Sequence, residues 1–342
     1  MVVETAELPS TSRAPTTTLQ GWRSFVTSIA PTIDPPDPAT LAAMSAIERE
    51  RYDEQRISYH SELVIVETST VRSITNQGRL LMMLNQREIS ARRGLVVSGP
   101  WASGKTTAIK LLGKTHELLI RRKYPRQDRI PVVYITTPPK GSPRKLASEF
   151  ANFLGLPQRP RQNVTDIADA VCQVLTDAKT DLVLVDEIHN LNLATSAGED
   201  MSDHLKYFTE HMPATFVYAG INVENSGLFT GLRGRQISAR SVLKTTGPFP
   251  FTEEWEALVA TLENGLRLHH HAPGTLTAQA QHLHYRAGGS ISSLSHLIRQ
   301  AAIMAILTGT EKIDRELLNE TSIDHAAESL APRPATTTPS AR

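Results

Sequence analysis

The sequence predicts an α/β fold, a parallel sheet doubly wound by helices and followed by a small all-helical domain. Three observations predict it. Five short apolar runs recur through the middle of the chain, helical segments lie between most of them, and the first run leads into a glycine-bearing phosphate-loop pattern.

The strands come first. Gly94–Ser98 (GLVVS), Pro131–Thr136 (PVVYIT), Asp181–Asp186 (DLVLVD), Thr215–Gly220 (TFVYAG) and Ser241–Thr246 (SVLKTT) are short, rich in β-branched residues and apolar on both faces. Strands buried on both sides of a parallel sheet have this character. Helical patterns cover Thr106–Arg121, Pro143–Leu154, Asp166–Asp177 and Gly198–Glu210. Beyond Thr252 the strands stop. Four helical segments follow, near Glu253–Leu266, Thr275–Ala287, Ser290–Thr308 and Arg315–Ala327.

Ahead of the sheet, the Thr-, Pro- and Ser-rich stretch up to about Leu19 lacks the apolar content needed to offset ordering entropy, which predicts a disordered tail. Gly21–Ala30, with Trp22 and Phe25, reads as a short docking segment, and Pro31–Thr40 as a Pro-rich linker. Helical spacing then runs loosely from Ala39 to Asn85 through Leu41, Met44, Ile47, Tyr52, Ile57 and Leu63. The expected organisation is a tail over 1–40, a helical segment over 41–90, an α/β core over 91–250, a helical domain over 251–328 and a second tail over 329–342.

Composition narrows the function. The chain has 342 residues, with Lys+Arg 36 against Asp+Glu 35 and a net charge of +1, so any nucleic-acid contact has to come from a local patch. The single cysteine, Cys172, excludes an internal disulfide framework and a zinc ribbon, and fits a reducing cytoplasm. It lies between Val171 and Val174 on a helical pattern and is expected in the core. No apolar run approaches the roughly 20 residues of a membrane-spanning helix, and the first residues lack the pattern of a signal peptide.

The strongest motif is GPWASGKT: Gly99, Pro100, Trp101, Ala102, Ser103, Gly104, Lys105 and Thr106, with Thr107 following. It matches G-x-x-x-x-G-K-[ST] between a strand and a helix. Glycines let successive N–H groups turn toward phosphate oxygens, and the helix start aims its positive end at the same anion. Lys105 is expected to neutralise the β/γ-phosphates, the Thr106 hydroxyl to ligate Mg²⁺ and Thr107 to position the α-phosphate of ATP. Trp101 is read as packing on the adenine side or on a neighbouring subunit.

LVLVDEIHN ends in Asp186 and Glu187 at the carboxyl end of a strand, where ligands of open α/β sheets bind. Asp186 is expected to hold Mg²⁺ through its water shell, and Glu187 to activate the attacking water. His189 reads as a structural hydrogen-bonding residue or as a contact to water at that site. Asn222, just past the fourth strand, reads as a γ-phosphate sensor or as an ordinary turn former. Arg233, Arg235 and Arg240 precede the fifth strand. Arg240, then Arg235, is the candidate arginine finger offered to a neighbouring subunit, against the alternative of solvated loop charges.

These motifs together resemble the AAA+ ATPases over about Arg72–Ala327. That resemblance implies a five-stranded parallel sheet in the order 5-1-4-3-2 followed by a helical lid. Within AAA+, the chain is similar to the TniB/TnsC-type accessory ATPases of DNA transposons, through YITTPPKGSPRKLASEFANFLG (Tyr134–Gly155), VDEIHNL (Val185–Leu191), GGSISSLSHLIRQAAIMAI (Gly288–Ile306) and SYHSELVIVET (Ser58–Thr68). It implies ATP binding and hydrolysis, a ring or filament on double-stranded DNA, and delivery of a target site to a transposase. It also implies that Lys140, Arg144 and Lys145 face DNA backbone. The place of the lid arginine called sensor 2 reads GGSISSL, with only Arg286 and Arg299 flanking it.

Two basic clusters stand out. Arg121, Arg122, Lys123, Arg126 and Arg129 follow the phosphate-loop helix and read as solvated charges complementing its C-terminus, against the alternative of contacts to DNA phosphates. The other cluster is Lys140–Lys145. The triplet His269–His271 has no accompanying cysteine or carboxylate cluster and is not expected to bind metal. Two other functions stay open: a signalling or defence NTPase acting as a nucleotide-switched interaction module, and a replication-type helicase loader.

Overall fold

The structure is a computed structural model and describes residues 14–29, 32–62, 66–88, 91–139, 141–190, 196–225 and 231–324, with backbone alone at 196–202 and 231–234. Its helices are α1 (Leu19–Thr27), α2 (Pro38–Ala43), α3 (Ala46–Ser61), α4 (Ser69–Asn85), α5 (Lys105–Lys123), α6 (Pro143–Leu154), α7 (Val164–Asp177), α8 (Ser196–His211), α9 (Gly231–Ala239), α10 (Glu253–Asn264), α11 (Ala280–Ala287), α12 (Ile291–Leu307) and α13 (Arg315–Glu320). The strands are β1 (Gly94–Ser98), β2 (Val132–Thr136), β3 (Leu182–Asp186), β4 (Thr215–Gly220) and β5 (Ser241–Thr245). Leu63, Lys140, residues 1–13 of the expected N-terminal tail and the expected tail over 329–342 lie outside the described residues. No single helix among the described residues is long and apolar enough to cross a membrane.

All strand pairs are parallel and the sheet order is β2-β3-β4-β1-β5. This is the expected 5-1-4-3-2. Two hydrogen-bonded registers matter for function. Thr136 lies beside Asp186, and Ser98 beside Gly220 and Thr245, so the phosphate loop and the acidic pair leave the same edge of the sheet. β3 and β4 are buried along their whole length, and β1 and β2 nearly so. β5 departs from the expected two-sided burial: it is an edge strand with alternating exposure, and Lys244 lies on it. A charge on an edge discourages pairing with other chains.

The chain divides into two compact units. The first joins the sheet to α1, residues 70–85 of α4, and α5 to α9. The segment expected to be a short docking piece is the helix α1. Trp22 is fully buried and its indole N–H donates to Glu117 at 2.5 Å, while its ring stacks on Tyr134 at 5.7 Å. Lys114 of α5 donates to the Phe25 and Ser28 carbonyls, satisfying acceptors that a helix C-terminus leaves open. Cys172 is buried in this core, and burial pushes its thiol up to about 12. Arg233 and Arg235 lie on helix α9 rather than on a loop, although its apolar content is low, and Arg240 follows it in the turn before β5.

The second unit comprises Ile29–Ser69, Trp101–Gly104 and Gly247–Arg342. Its core is built on Trp255, Leu258, Leu283, Leu294, Leu297 and Ala301. α3 starts with a capping box: Ser45 accepts from the Glu48 N–H, and the Glu48 carboxylate accepts from the Ser45 N–H at 2.8 Å. α3 then packs on α12. Arg56 of α3 is fully buried and donates twice to Glu311, at 2.6 and 2.7 Å. Glu311 also accepts from Arg49 and from the His269 N–H. The 41–90 segment is therefore split. The apolar face of α4 (Val71, Ile74, Leu81, Met82) joins the sheet's core, whereas Arg56 ties α3 to Glu311.

Trp22→Ala removes a large buried ring and leaves Glu117 without its indole donor. It is expected to cost about 3–5 kcal/mol of unfolding free energy, measured by denaturant titration. His60 is buried and its Nε2 accepts from the Arg267 N–H, and burial pushes its imidazole down to about 4. The unfolded chain takes up this proton near pH 6.5 and the folded chain only near pH 4. Its contribution, at most about 3 kcal/mol, is complete above pH 6.5 and lost as pH falls toward 4. Comparing the pH dependence of unfolding in wild type and His60→Asn checks this, the variant showing the shallower decline.

Candidate functional site

The first unit carries a cluster of charged and hydroxyl-bearing groups where β1, β3 and β4 end. Asp186 is its centre. The carboxylate is 2% exposed, a burial an anion tolerates only with several donors. One oxygen accepts from the Thr106 hydroxyl at 2.7 Å and from the Tyr134 hydroxyl at 2.9 Å. The other accepts from the Glu187 N–H at 2.9 Å. Burial, with Asp186 beside it, pushes the Tyr134 phenol well above its ordinary range, so Tyr134 stays a neutral donor. Lys110 lies 4.6 Å over the Tyr134 ring. Its ammonium is pushed down by burial and partly restored by Asp186.

The phosphate loop is shaped by its backbone. A Cβ at Gly99 would sit 2.2 Å from the Thr246 hydroxyl and 2.4 Å from its carbonyl, so only glycine lets β1 leave the sheet here. Gly104 has φ +82° and Ala102 φ +56°, the left-handed torsions that reverse successive peptide groups. Lys105 opens α5 and is nearly buried, donating to the Gly99 carbonyl at 3.0 Å and the Pro100 carbonyl at 2.5 Å. Burial pushes its ammonium down, opposed by Glu187 and Asp186. Trp101 is 65% exposed, in contrast to the fully buried Trp22 and Trp255. Ser103 is part-buried, and Thr107 follows Thr106 in the first turn of α5.

Glu187 adopts φ +57°, uncommon for a residue with a side chain. Its carbonyl accepts from the Asn190 N–H and from the Thr137 hydroxyl. Its side chain is 40% exposed and lies 3.3 Å from His189 Nε2. Asn222 follows β4 with φ +44° and is exposed. Ser98 donates to Glu224 and accepts from the Val223 N–H, linking the end of β1 to the segment after Asn222.

The remaining candidates lie elsewhere. Arg240 precedes β5, and its carbonyl accepts from the Gly94 N–H at the opposite, amino edge of the sheet. The four steps from Gly94 to Ser98 span roughly 13 Å at about 3.3 Å per residue, so Arg240 does not serve the phosphate loop of its own chain. Arg235 and Arg240 are exposed, and the Arg233 side chain is not described. Arg144 donates to the Gln162, Arg159 and Pro160 carbonyls, and Lys145 is exposed. Lys140 lies outside the described residues. Arg121 pairs with Glu117 and Arg129 with Asp181. In the second unit Arg286 donates to the Leu318 and Thr321 carbonyls, and Arg299 to those of His60 and Ser61.

Tyr134, Ser98, Glu224 and Thr137 join this cluster without a motif of their own in the sequence. The hydroxyl in PVVYIT, inside an otherwise aliphatic run, was the available signal for Tyr134.

The family model for the bacterial TniB protein matches residues 56–231, about half of the chain. The chain belongs to the bacterial TniB family. Its match spans the phosphate loop, the acidic strand end and Asn222. Comparison with curated proteins finds no match to this TniB-family chain. Solved structures with a similar fold include the Aeropyrum pernix ORC2 protein in ADPNP–ADP complexes. That likeness has 16% identity and a TM-score of 0.59, and covers 80% of this chain and 73% of the other. The A. pernix ORC1 protein in complex with DNA is 17% identical, with a TM-score of 0.56 and coverage of 79% and 66%. Drosophila ORC bound to DNA is 13% identical, with a TM-score of 0.53 and coverage of 88% and 72%. At these identities the likeness is one of fold, the P-loop AAA+ architecture.

Lys105→Ala is expected to abolish measurable ATP binding without unfolding the protein. A titration with a fluorescent ATP analogue, with a melting curve as control, checks this; wild-type affinity in the variant would remove Lys105 from the site.

Proposed function

We propose that this TniB-family chain is an ATP-dependent regulator of DNA transposition that binds and hydrolyses ATP, assembles on double-stranded DNA and engages a transposase there. The observation that carries the reading is the Thr106–Asp186 pair, beside the Lys105 amine on which both the Asp186 and Glu187 carboxylates act. Family membership supports the link to transposition. The DNA complexes and the ADPNP–ADP complexes named for proteins of the same fold agree with ATP and DNA as ligands.

The donor set fits Mg²⁺–ATP. A hydroxyl and a carboxylate in mutual contact are the hard oxygen donors Mg²⁺ prefers, directly or through water. Bound Mg²⁺ would supply charge neutralisation at the β- and γ-phosphates. Thr106 and Asp186 are the residues to hold it. Lys105, now on two loop carbonyls, is the cation for the phosphate oxygens. Glu187 takes a proton from the attacking water, and its exposed side chain leaves water access to it. Asn222 is the residue to register the γ-phosphate. Arg240, at the amino edge of the sheet, acts on the nucleotide of a neighbouring subunit, with Arg235 as the second candidate. Lys140 and Lys145 are the proposed contacts to DNA backbone. Arg144 is committed to three carbonyls and is better suited to hold that loop in shape.

The test is steady-state ATP hydrolysis with and without double-stranded DNA, alongside sizing of the complex. DNA is expected to raise turnover, and ATP to drive assembly on it. If ATP binds and DNA changes neither, a protein-interaction switch is the better reading. Glu187→Gln should keep ATP binding, lose about 100- to 10,000-fold in turnover and accumulate the larger assembly. Charge reversal at Lys140 and Lys145 should weaken DNA binding and flatten its dependence on salt. An unchanged salt slope would place the DNA on another surface.

A further inference from the structure

His189 sits between the two parts of the site that have to act together. Its Nδ1 accepts a hydrogen bond from the Ile221 N–H at 3.2 Å. A backbone N–H only donates, so Nδ1 carries no proton and the neutral ring carries its proton on Nε2. That nitrogen lies 3.3 Å from a Glu187 carboxylate oxygen. Ile221 is the residue immediately before Asn222. One imidazole therefore spans from the peptide that carries the sensor candidate to the carboxylate expected to activate water.

The backbone is built to hold this bridge. The turn Ile188–Asn190 lies directly on the end of β4. A Cβ at Gly220 would meet Ile188 Cγ2 at 2.8 Å and the His189 backbone nitrogen at 3.2 Å, so a side chain there would push the turn away. Ile188 is fully buried and anchors the turn. Asn190 donates from its side chain to the Thr137 carbonyl, and from its N–H to the Glu187 carbonyl. The turn is pinned on both sides of His189, while His189 itself keeps moderate exposure beside Glu187.

We propose that His189 is a positioning residue that couples Asn222 to Glu187, aiming the carboxylate at the attacking water when a γ-phosphate engages the end of β4. The role rests on the reading of Glu187 as the base. A shift of the Ile221–Asn222 peptide moves the acceptor end of the ring, and the Nε2–H end carries that shift to the carboxylate. His189 touches neither phosphate nor water in this account, so it sets the geometry of catalysis and not the affinity for ATP.

Glutamine supplies both ends of the bridge, with a carbonyl to accept from Ile221 and an amide N–H to face the Glu187 carboxylate. Alanine has neither. The experiment measures kcat and KM for Mg²⁺–ATP in wild type, His189→Ala, His189→Gln and the double variant with Glu187→Gln. His189→Ala is expected to lower kcat roughly 10- to 100-fold with KM little changed, and His189→Gln to recover most of that loss. In the Glu187→Gln background, His189→Ala should add no further loss, because the carboxylate it aims is gone. Wild-type kcat in His189→Ala overturns the proposal, as does a glutamine variant no better than alanine, or a full additional loss in the double variant.

Long-range ¹⁵N–¹H correlation of the His189 ring, assigned by its disappearance in His189→Gln, tests the linkage without turnover or a folded alanine variant. A ring protonated on Nε2 alone is expected, and one protonated on Nδ1 overturns the bridge. A wild-type protein that binds ATP and never hydrolyses it, with the Nε2 form present, defeats the hydrolytic reading and this role while leaving the contact itself intact.

Discussion

The functional edge of the sheet depends on one buried anion. The Asp186 carboxylate is held in place of its hydration shell by two hydroxyls and a backbone N–H, which come from α5, β2 and the peptide that follows Asp186 itself. Each donor is delivered by a different consequence of the parallel sheet. The β2–β3 register sets Tyr134 two steps behind Asp186, and the loop leaving β1 starts α5 so that Thr106 faces the same oxygen. Removing any one of these leaves a buried charge short of a partner, which costs more than the bond gained. The arrangement also reaches into the core: Tyr134 stacks on Trp22, and Trp22 donates to Glu117 on α5. The α1 helix is thereby part of the support of the site, although it lies far from it in sequence.

The second unit follows the same physical rule with a different chemistry. Arg56 and Glu311 are both buried, and their two-pronged pairing lets the unit enclose charges that would otherwise be prohibitive. Two of its part-buried arginines are also engaged. Arg286 and Arg299 each donate to two backbone carbonyls, closing loops of their own unit. The sequence GGSISSL carries no arginine in the position where many AAA+ proteins have one, and these flanking guanidiniums are engaged in structure. In the proposed reading, nucleotide sensing falls to the carboxyl end of the sheet, where Asn222, Ile221 and His189 lie.

The strands and the phosphate loop were legible in the sequence because their signals are local. A strand buried on both faces has to be a continuous apolar run, and GPWASGKT places its glycines where the backbone itself demands them. Helices with a clear apolar face, such as Pro143–Leu154, were legible for the same reason. What escaped is long-range. The pairing of Arg56 with Glu311 and of Trp22 with Glu117 leaves no local pattern, so neither the division of α3 from α4 nor the seating of α1 was visible. α9 escaped because GLRGRQISA offers little apolar periodicity. In the site, Thr106, Asp186 and Glu187 were expected together, whereas Tyr134 read as one more strand residue. The commitment of Arg144 to loop carbonyls depends on where residues 159–162 fold back, which its own basic neighbourhood conceals.

Asp186 and Thr106 are the proposed seat of a magnesium-bound nucleotide. Calorimetric titration of ATP with and without Mg²⁺, in wild type and in Asp186→Asn, tests this assignment most directly. Mg²⁺ is expected to tighten ATP binding in the wild type, and Asp186→Asn to lose this dependence while remaining folded. Equal Mg²⁺ dependence in the two proteins would contradict it, and would mean that this buried carboxylate serves the fold alone.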